Sequence, residues 1–493
     1  MLSGMFCSYC LPRCMPFGVP FSMSFCLPFG VSLGMSFCMP FSLRQRRWTL
    51  IETWKNKDAF SWVDDYFSHI SPHFDVREKD LLLIILPNRA MKLNSTGFKV
   101  LKFMKEGGSF ANLSAKIGDN DDRRRELFHF LCDFRSLMTG CLGEGRGRKA
   151  VSIEQYSGSF NTLPVLSEIA VTYRCNLKCR FCYAACGCQR KDGDASEMST
   201  KEILKILKVI RNDAKVPSVS FTGGEPLLRN DLEELVSGAK NIGLRVNLIT
   251  NGTLLAGNDR AERLHKAGLN SAQVSLEGPT AEIHDNLTEI PGSFEKTMSG
   301  ISSLKKAGIH VHTNTTINSK NSNHLVDIVR TVSKLGMKRM SMNMVIPTGS
   351  AVNSNLQVSY SEIWPVIEPV RNETRRLGID FMWYSPTPMC IFNPLAEGFG
   401  NKSCAACDGL LSVAPNGDVL PCSSYPQSVG NLLRQPFSEV WNSASSVFFR
   451  KKEYAPGECD GCGKFAACAG ACPLYWSAMG TAELFGRRKH AAA

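Results

Sequence analysis

The chain has 493 residues, of which 43% are hydrophobic and 21% charged, a composition typical of globular proteins. This length corresponds to two to four domains, at one domain per ~100–200 residues. The net charge of +12 includes no basic run longer than clusters such as Arg123–Arg125, so it favours a solvated surface or an anionic substrate over nucleic-acid binding. The 20 cysteines are grouped at metal-ligand spacings, which argues against a secreted disulfide framework and favours the reducing cytoplasm.

Residues 1–48 differ from the rest of the chain. A 12-residue repeat runs through them, with Met15–Cys26 echoed by Leu27–Cys38 and no charge between Arg13 and Arg44. An apolar stretch of this length is ordinarily a membrane-helix candidate, but its prolines and glycines oppose a stable helix. We interpret it as a disordered low-complexity leader or a wrongly assigned start, with a membrane anchor as the alternative.

Residues 72–147 indicate a small separate domain. The expected elements are a strand at Leu81–Leu86, a turn and second strand over 87–94, a helix capped by Ser95-Thr96 and ended by Gly107-Gly108, a helix bearing Phe110, Leu113 and Ile117, and a helix over Arg124–Met138. This order resembles the PqqD-like winged-helix domain of peptide-maturation systems. The resemblance implies capture of a leader peptide as an added strand at a sheet edge. An ordinary DNA-binding winged helix and an inert packing module are the alternatives.

Strand-like and helical segments alternate from residue 165 to 350, which predicts a parallel sheet. The expected strands are Ser167–Thr172, Ser218–Thr222, Arg245–Thr250, Ala272–Leu276, His310–Thr316 and Met340–Val345, with helices such as Thr200–Arg211 and Asp231–Asn241 between them. We expect ligand-binding and catalytic residues at the carboxyl ends of these strands.

Three cysteines follow the first of these strands, Cys175, Cys179 and Cys182, spaced Cys-x3-Cys-x2-Cys. Three thiolates can hold three corners of a [4Fe–4S] cluster and leave the fourth iron open to a small molecule. An open metal position is typical of catalytic rather than structural sites. A structural zinc knuckle is the alternative, which the spacing alone does not exclude.

Three further motifs end later strands: Gly223-Gly224-Glu225-Pro226, Thr250-Asn251-Gly252 and Ser275-Leu276-Glu277-Gly278. With the cysteines they resemble the radical S-adenosylmethionine (SAM) superfamily over about residues 165–350. The resemblance implies a partial (βα)6 TIM-type barrel, and reductive cleavage of SAM to a 5′-deoxyadenosyl radical. It assigns the [4Fe–4S] cluster, whose open iron SAM chelates, to Cys175, Cys179 and Cys182. The methionine end of SAM is assigned to Gly223, Gly224, Glu225 and Pro226, and Glu225 accepts a hydrogen bond from the SAM ammonium. Adenine is assigned to Phe181, and the ribose or methionine groups to Asn251 and Ser275.

Residues 385–480 are rich in cysteine. Cys407-x9-Gly417-x4-Cys422 precedes Cys459-x2-Cys462-x5-Cys468-x3-Cys472, and Asn416-Gly417 predicts a hairpin turn. The pattern resembles the SPASM extension of radical SAM maturases, which implies one or two auxiliary [4Fe–4S] clusters. The resemblance assigns Cys407, Cys422 and Cys472, with Cys404 or Cys390, to the first cluster and Cys459, Cys462 and Cys468 to the second. A zinc site at Cys459 and Cys462 is the alternative.

The sequence departs from the SPASM pattern at its end, because no cysteine follows Cys472. The second cluster can therefore be complete, open, or capped by an oxygen or nitrogen ligand. By count alone, the eight cysteines from Cys390 to Cys472 allow two full sets. Cys186 and Cys188, just after the first cysteine motif, are interpreted as loop residues.

The sequence thus predicts an α/β protein, a partial (βα)6 barrel with an N-terminal winged-helix-like domain and a C-terminal iron–sulfur domain. We expect a radical SAM oxidoreductase that modifies a ribosomally made precursor peptide and takes electrons from a flavodoxin or ferredoxin. Tetrapyrrole side-chain modification and maturation of a partner enzyme are alternatives, and a non-catalytic electron carrier is a weaker one. A carrier has no need for the Gly223–Pro226 motif. No catalytic base is identified; Glu277 is one substrate-side option.

Overall fold

The computed structural model describes residues 53–485 apart from 88, 119, 140–149, 151–160, 187–196, 353 and 401. The prediction for residues 1–48 and the interpretation of Cys188 lie outside the described residues. The chain divides into two compact units, Met1–Gln155 and Tyr156–Ala493. The finer domain boundaries expected from the sequence stay predictions. Within the described part of the chain, no helix is both long and apolar enough to cross a bilayer.

The first unit combines a small antiparallel sheet with four α-helices among the described residues. Its elements are α1 (Val63–Ile70), β1 (Phe74–Arg77), β2 (Leu82–Ile85), β3 (Arg89–Lys92), α2 (Ser95–Lys105), α3 (Phe110–Ile117) and α4 (Asp121–Met138). The central strand is β2, and all four of its residues are buried. The rings of Phe67, Phe74 and Phe134 join α1, β1 and α4, with centroids 5.2, 5.4 and 6.2 Å apart.

Two features of this unit correct the sequence analysis. The two expected strands and three expected helices are present, but α1 and β1 precede them. The strand β1 was missed because its four residues alternate only two apolar side chains with Asp75 and Arg77, a weak strand signal. The helix cap expected at Ser95-Thr96 is wrong: Asn94 is the N-cap, and its Oδ1 accepts the Gly97 N–H at 2.7 Å.

The second unit contains the remaining strands and helices. They are β4 (Leu166–Thr172), α5 (Thr200–Asn212), β5 (Ser218–Gly223), α6 (Leu232–Asn241), β6 (Arg245–Thr250), α7 (Arg260–Ala267), β7 (Ser271–Ser275), α8 (Ala281–Thr288), α9 (Ser293–Lys306), β8 (His310–Ile317), α10 (Leu325–Lys334), β9 (Arg339–Met344), α11 (Ile363–Leu377), β10 (Asp380–Trp383), β11 (Leu410–Val413), β12 (Asp418–Leu420), β13 (Gly430–Asn431), α12 (Phe437–Trp441), α13 (Ala444–Arg450), α14 (Phe465–Cys468) and α15 (Pro473–Met479).

These strands form one ten-stranded sheet in the order β10-β9-β8-β7-β6-β5-β4-β11-β12-β13. Neighbours from β10 to β11 are parallel, as the alternation of strands and helices predicts. The six expected strands are all present, with ends that agree within one residue. Beyond them, β10 adds a further parallel strand at the edge. This architecture confirms the α/β fold class.

The two faces of the sheet differ in chemistry. Alternate residues such as Val219, Phe221 and Met342 enter the hydrophobic core. Residues of the other parity form what we call the inner face, and they are largely polar. Their side chains bond across strands: Asn247 Nδ2 donates to Ser220 Oγ (3.2 Å), His312 Nε2 lies 3.1 Å from Gln273 Oε1, and Asn314 Nδ2 donates to Asn343 Oδ1 (2.8 Å).

The cysteine-rich segment extends the same sheet. Its strand β11 pairs in parallel with β4 and antiparallel with β12, and Asn416-Gly417 forms the turn of that hairpin. Gly417 has a φ of +85°, a conformation that favours glycine, which explains why the dipeptide predicted the turn. The hairpin prediction is therefore confirmed, and the segment is continuous with the strand that precedes Cys175.

Candidate functional site

The loop that carries Cys175, Cys179 and Cys182 is held at its root by the Gly-Gly motif. The Gly224 N–H donates to the Thr172 carbonyl and the Glu225 N–H to the Arg174 carbonyl, each at 2.8 Å. A Cβ on either Gly223 or Gly224 would overlap these same backbone carbonyls. The two glycines are therefore required for the end of β5 to lie against the start of the cysteine loop.

Other elements fix the far side of this loop. The N–H groups of Lys178 and Arg180 donate to the carbonyls of Thr288 (3.0 Å) and Leu287 (3.1 Å), at the end of α8. The Ser350 N–H, after β9, donates to the Cys182 carbonyl at 2.9 Å. Backbone hydrogen bonds to the end of β5, to α8 and to the segment after β9 therefore hold the loop in position.

The three thiols lie close enough to affect one another's ionisation. The pKa of Cys179 is raised well above its usual range, first by burial and then by the thiols of Cys182 and Cys175 and the carboxyl of Glu277. Burial likewise raises the pKa of Cys175 to about 12. Hydrogen bonds from Cys186, led by its thiol, lower the pKa of Cys182 to about 6. Binding of iron would supply the positive charge that converts the two neutral thiols to thiolates.

The donor set fits a cluster. In the described part of the chain, no three His, Cys, Asp or Glu side chains are grouped tightly enough for one metal ion. Three neighbouring thiols are the donor set that a [4Fe–4S] cluster with one open corner requires, and that corner would be left for SAM. The geometry gives no support to the zinc knuckle. The assignment of each cysteine as a ligand stays a prediction.

Glu225 is buried and binds three donors of its own chain. Its Oε1 accepts from the Leu227 N–H (3.0 Å) and Thr250 Oγ1 (2.8 Å), and its Oε2 accepts from the Asn251 N–H (2.8 Å). Burial raises its pKa, and these hydrogen bonds oppose the rise. One lone pair of Oε2 is left, so the expected contact with the SAM ammonium stays a prediction. The first role of the carboxylate is to join the ends of β5 and β6.

The other residues expected to bind SAM lie at the same edge of the sheet. The Asn251 side chain donates to Asn176 Oδ1, in the cysteine loop, at 2.9 Å. Ser275 ends β7 opposite Asn314, Pro226 is buried in the short 3-10 helix after the glycines, and Phe181 is half-buried between two cysteines. Because parallel strands end at one edge, motifs distant in sequence meet there. Their individual contacts with SAM stay predictions.

Two buried ionisable residues border this edge. Glu277 Oε2 accepts the Thr316 N–H at 2.9 Å, and burial raises the pKa of Glu277 to about 8. The Glu277 N–H in turn donates to Nδ1 of His284, whose pKa burial lowers to about 4. Glu277 therefore carries a proton at neutral pH. A carboxyl whose pKa lies near the working pH can exchange protons, so Glu277 as a substrate-side base stays a prediction.

Lys402 is a candidate substrate-side residue that carries no sequence motif. Its Nζ lies 5.2 Å from the ring centroid of Tyr384, which follows β10 on the inner face. Burial lowers the pKa of Lys402 to about 8 and raises that of Tyr384 to about 12. No carboxylate among the described residues pairs with Lys402. A lone lysine in a long loop has no sequence signal that would have identified it.

The C-terminal cysteines fall into two neighbourhoods. The Cys404 thiol raises the pKa of Cys407, Cys422 and Cys472, in each case after the larger effect of burial. In the second neighbourhood, burial and the thiols of Cys468, Cys390 and Cys462 raise the pKa of Cys459 to about 11. None of the cysteines that the structure describes is in a disulfide. The assignment of these cysteines as ligands of two auxiliary clusters stays a prediction.

Comparison with known proteins agrees with this geometry. Residues 169–332 match the radical SAM superfamily, and residues 402–463 match an iron–sulfur cluster-binding domain. The AdoMet-dependent heme synthase of Methanosarcina barkeri is 31% identical over 333 residues, 64% of this chain and 93% of the relative. The PqqA peptide cyclase of Xanthomonas euvesicatoria is 28% identical over 326 residues, 63% of this chain and 82% of the relative.

Among solved structures, Streptococcus suis SuiB bound to precursor peptide SuiA superposes with a TM-score of 0.60 at 17% identity, covering 81% of this chain and 94% of SuiB. That likeness concerns the fold. The match of sequence, fold and cysteine geometry leads to one conclusion. The chain belongs to the radical SAM superfamily of enzymes, with SAM and a [4Fe–4S] cluster as cofactors and auxiliary iron–sulfur clusters in a C-terminal SPASM domain.

Proposed function

We propose that this enzyme oxidatively modifies a ribosomally made precursor peptide. The observation that carries the proposal is the open edge of the sheet in the first unit. The strand β3 pairs only with β2 in the described sheet order, so its other side is an edge. An edge strand is a template for an added peptide strand.

The register of β3 identifies which backbone groups a peptide would meet. The Leu93 N–H donates to the Leu81 carbonyl at 2.7 Å, and Met91 pairs with Leu83 in the same ladder. In an antiparallel ladder alternate residues bond to the partner strand, so the backbone of Ala90 points away from β2. At the opposite edge, Lys105 Nζ donates to the Phe74 carbonyl at 2.5 Å and covers the start of β1. The β3 edge is therefore the better peptide site.

The names of two similar proteins support a peptide substrate. One relative is named PqqA peptide cyclase, and the superposable SuiB was solved bound to its precursor peptide. When bound, the cluster and SAM supply a 5′-deoxyadenosyl radical that removes a hydrogen atom from the substrate. The chain itself clamps the cysteine loop, joins β5 to β6 through Glu225, and presents a polar inner face to the reacting group.

A second candidate function is modification of an acidic tetrapyrrole. The specific observation in its favour is Lys402, a half-buried cation beside Tyr384 on the inner face, which suits a carboxylate. Relatives named AdoMet-dependent heme synthase are also similar to this chain. A peptide carboxylate would satisfy Lys402 equally well, so we rank this function second.

We propose the reducing cytoplasm as the cellular setting, on the basis of the cysteines. No disulfide joins the described cysteines, which is consistent with the proposed reducing cytoplasm and with delivery of electrons by a flavodoxin or ferredoxin.

The deciding experiment is anaerobic. The full chain is reconstituted with iron and sulfide, reduced, and followed for 5′-deoxyadenosine release with SAM, alone and with separated peptide and tetrapyrrole fractions. Stimulation by peptide supports the proposal, and stimulation only by tetrapyrroles replaces it with the second candidate. Release that neither fraction stimulates overturns both.

The Ala90→Pro variant tests the peptide edge separately. Proline removes an outward N–H without touching the ladder to β2, so peptide affinity should fall at least tenfold while unstimulated SAM cleavage is kept. Ala90→Val, which retains the N–H, is the matched control. Equal peptide binding by both variants would remove the β3 edge from the proposal.

A further inference from the structure

The second group of C-terminal cysteines lacks a fourth member in the SPASM sequence pattern. Cys459, Cys462 and Cys468 come from a short stretch of tight turns: the Cys462 N–H donates to the Cys459 carbonyl at 3.1 Å, and the Phe465 N–H to the Cys462 carbonyl at 3.0 Å. The chain after Cys472 contains no cysteine. Among the described cysteines outside this stretch, Cys390 follows a residue, Met389, that contacts Cys468.

The segment after β10 lies against this group. The Met389 N–H donates to Cys468 Sγ at 3.4 Å, and Cys468 Sγ lies 4.0 Å from the Thr387 carbonyl. The Ile391 N–H closes a turn onto the Pro388 carbonyl at 2.8 Å. Met389 and Cys468 are 79 residues apart in sequence, so these contacts join two distant stretches of the chain. They place Cys390, the residue after Met389, beside the group of Cys459, Cys462 and Cys468.

A different element adjoins Cys404 and Cys407. Lys452 Nζ donates to the Cys404 carbonyl at 2.8 Å, and Arg450 Nε donates to the Cys407 carbonyl at 3.2 Å. Cys404 and Cys407 therefore lie at the end of α13, whereas the segment that carries Cys390 contacts Cys468.

We propose that Cys390, beside Cys468, is the fourth ligand of the second auxiliary [4Fe–4S] cluster. Each cluster then has four cysteines: Cys404, Cys407, Cys422 and Cys472 in the first, and Cys390, Cys459, Cys462 and Cys468 in the second. Ligation by Cys390 forms one iron–sulfur bond and releases the thiol proton to solvent, with no change of oxidation state. The second cluster then has no open iron for substrate. This inference does not depend on which substrate the enzyme modifies.

The test uses the full chain carrying Cys175→Ala, Cys179→Ala and Cys182→Ala, so that only auxiliary clusters remain. Two complete clusters give about eight irons per chain. Adding Cys390→Ala should open one corner, with iron falling to about seven per chain after mild oxidation and a [3Fe–4S] signal appearing in electron paramagnetic resonance. Cys132→Ala, which removes a cysteine of the first unit, is the matched control and should change nothing.

Two further variants keep the result interpretable. Cys390→Asp offers an oxygen ligand and should restore the fourth iron with a shifted spectrum, which a misfolded protein would not do. In a background that also lacks Cys459, Cys462 and Cys468, Cys390→Ala should have no effect, because both changes act on one cluster. Unchanged iron and spectra in Cys390→Ala, or an effect that persists in that background, would overturn the proposal.

Discussion

Glu225 Oε2 accepts the backbone N–H of Asn251 at 2.8 Å, so that a buried carboxylate ties the end of β5 to the end of β6. The motifs after these two strands are 26 residues apart in sequence. Beyond the pairing of the two strands, this side chain holds their ends together, and it also accepts from Thr250 Oγ1 and the Leu227 N–H.

Replacement of Glu225 should be costly. Glu225→Ala leaves three buried donors unpaired, and at about 1–3 kcal/mol for each donor we expect the free energy of unfolding to fall by about 3 kcal/mol or more. Glu225→Gln should cost about 1–3 kcal/mol, because its amide NH2 would face the Asn251 N–H. Urea unfolding measures both. Glu262→Gln, on the exposed side of α7, is the control, and a Glu225→Ala variant as stable as this control would contradict the brace.

Gly224→Ala should abolish loading of the SAM cluster. The added Cβ would overlap the Arg174 carbonyl, which cannot move without shifting the start of the cysteine loop. We expect about four irons fewer per chain, the content of one [4Fe–4S] cluster. Iron and sulfide assays after anaerobic reconstitution provide the measurement.

Gly243→Ala is the matched control for this change. Gly243 has a φ of +78°, yet a Cβ there meets no atom within 4 Å. Alanine in this conformation costs about 1–2 kcal/mol of strain but creates no collision, so the iron content should be retained. Equal iron loss in both variants would show that the contact with the Arg174 carbonyl is not the cause.

Much of this fold is predictable from sequence for a physical reason. Buried parallel strands are short apolar runs bounded by helices, so the strand Arg245–Thr250 was predicted with its observed ends. Parallel strands also end at one edge, so the motifs at Gly223, Asn251 and Ser275 were expected to meet. In these cases the local sequence pattern was sufficient, because the end of each strand in the sequence is also its position at the edge of the sheet.

The elements that were missed carry no such pattern. The strands β1 and β10 have only four residues each. In addition, β10 lies beyond residue 350, where no sequence motif marks the end of a strand. The position of Cys390 beside Cys468 depends on a contact between distant segments, and no spacing rule encodes it. Lys402 likewise became a candidate substrate-side residue only through its packing on Tyr384.

Buried histidines should make the second unit less stable in mild acid. His312 lies on the inner face, and burial, with smaller effects from the charges of Arg339, His310 and Arg245, lowers its pKa to about 3. The unfolded chain, with a histidine pKa of about 6.5, then binds the proton that the folded chain does not. Stability is therefore lost as the pH falls below 6.5, by about 1 kcal/mol for this histidine between pH 7 and 5.5.

Substitution of His312 isolates this contribution. His312→Gln has no charge to gain, so the difference between its free energies of unfolding at pH 7 and pH 5.5 should be about 1 kcal/mol smaller than in the wild-type apoprotein. Urea unfolding at the two pH values gives both quantities. His265→Gln, at an exposed position in α7, should leave the wild-type pH dependence unchanged. A His312→Gln variant with the wild-type slope would show that His312 is protonated in the folded chain.

Lys402 should determine affinity for the substrate. A half-buried ammonium that binds a substrate carboxylate contributes about 1.5–3 kcal/mol through a charge-assisted hydrogen bond. We therefore expect Lys402→Met to raise the half-saturating concentration of the stimulating fraction by about 10- to 150-fold, while unstimulated SAM cleavage stays within about twofold. The measurement is 5′-deoxyadenosine release as a function of the amount of that fraction.

Controls for Lys402 must separate binding from cluster assembly, because Cys404 is two residues away. Lys402→Met should keep the wild-type iron content, and Lys402→Arg should recover part of the lost affinity because it restores the charge. Lys208→Met, on the exposed side of α5, removes a lysine at the surface and should change neither quantity. If Lys402→Met binds the active fraction as tightly as Lys208→Met does, the inner face recognises its substrate without an ion pair, and the acidic tetrapyrrole loses its specific support.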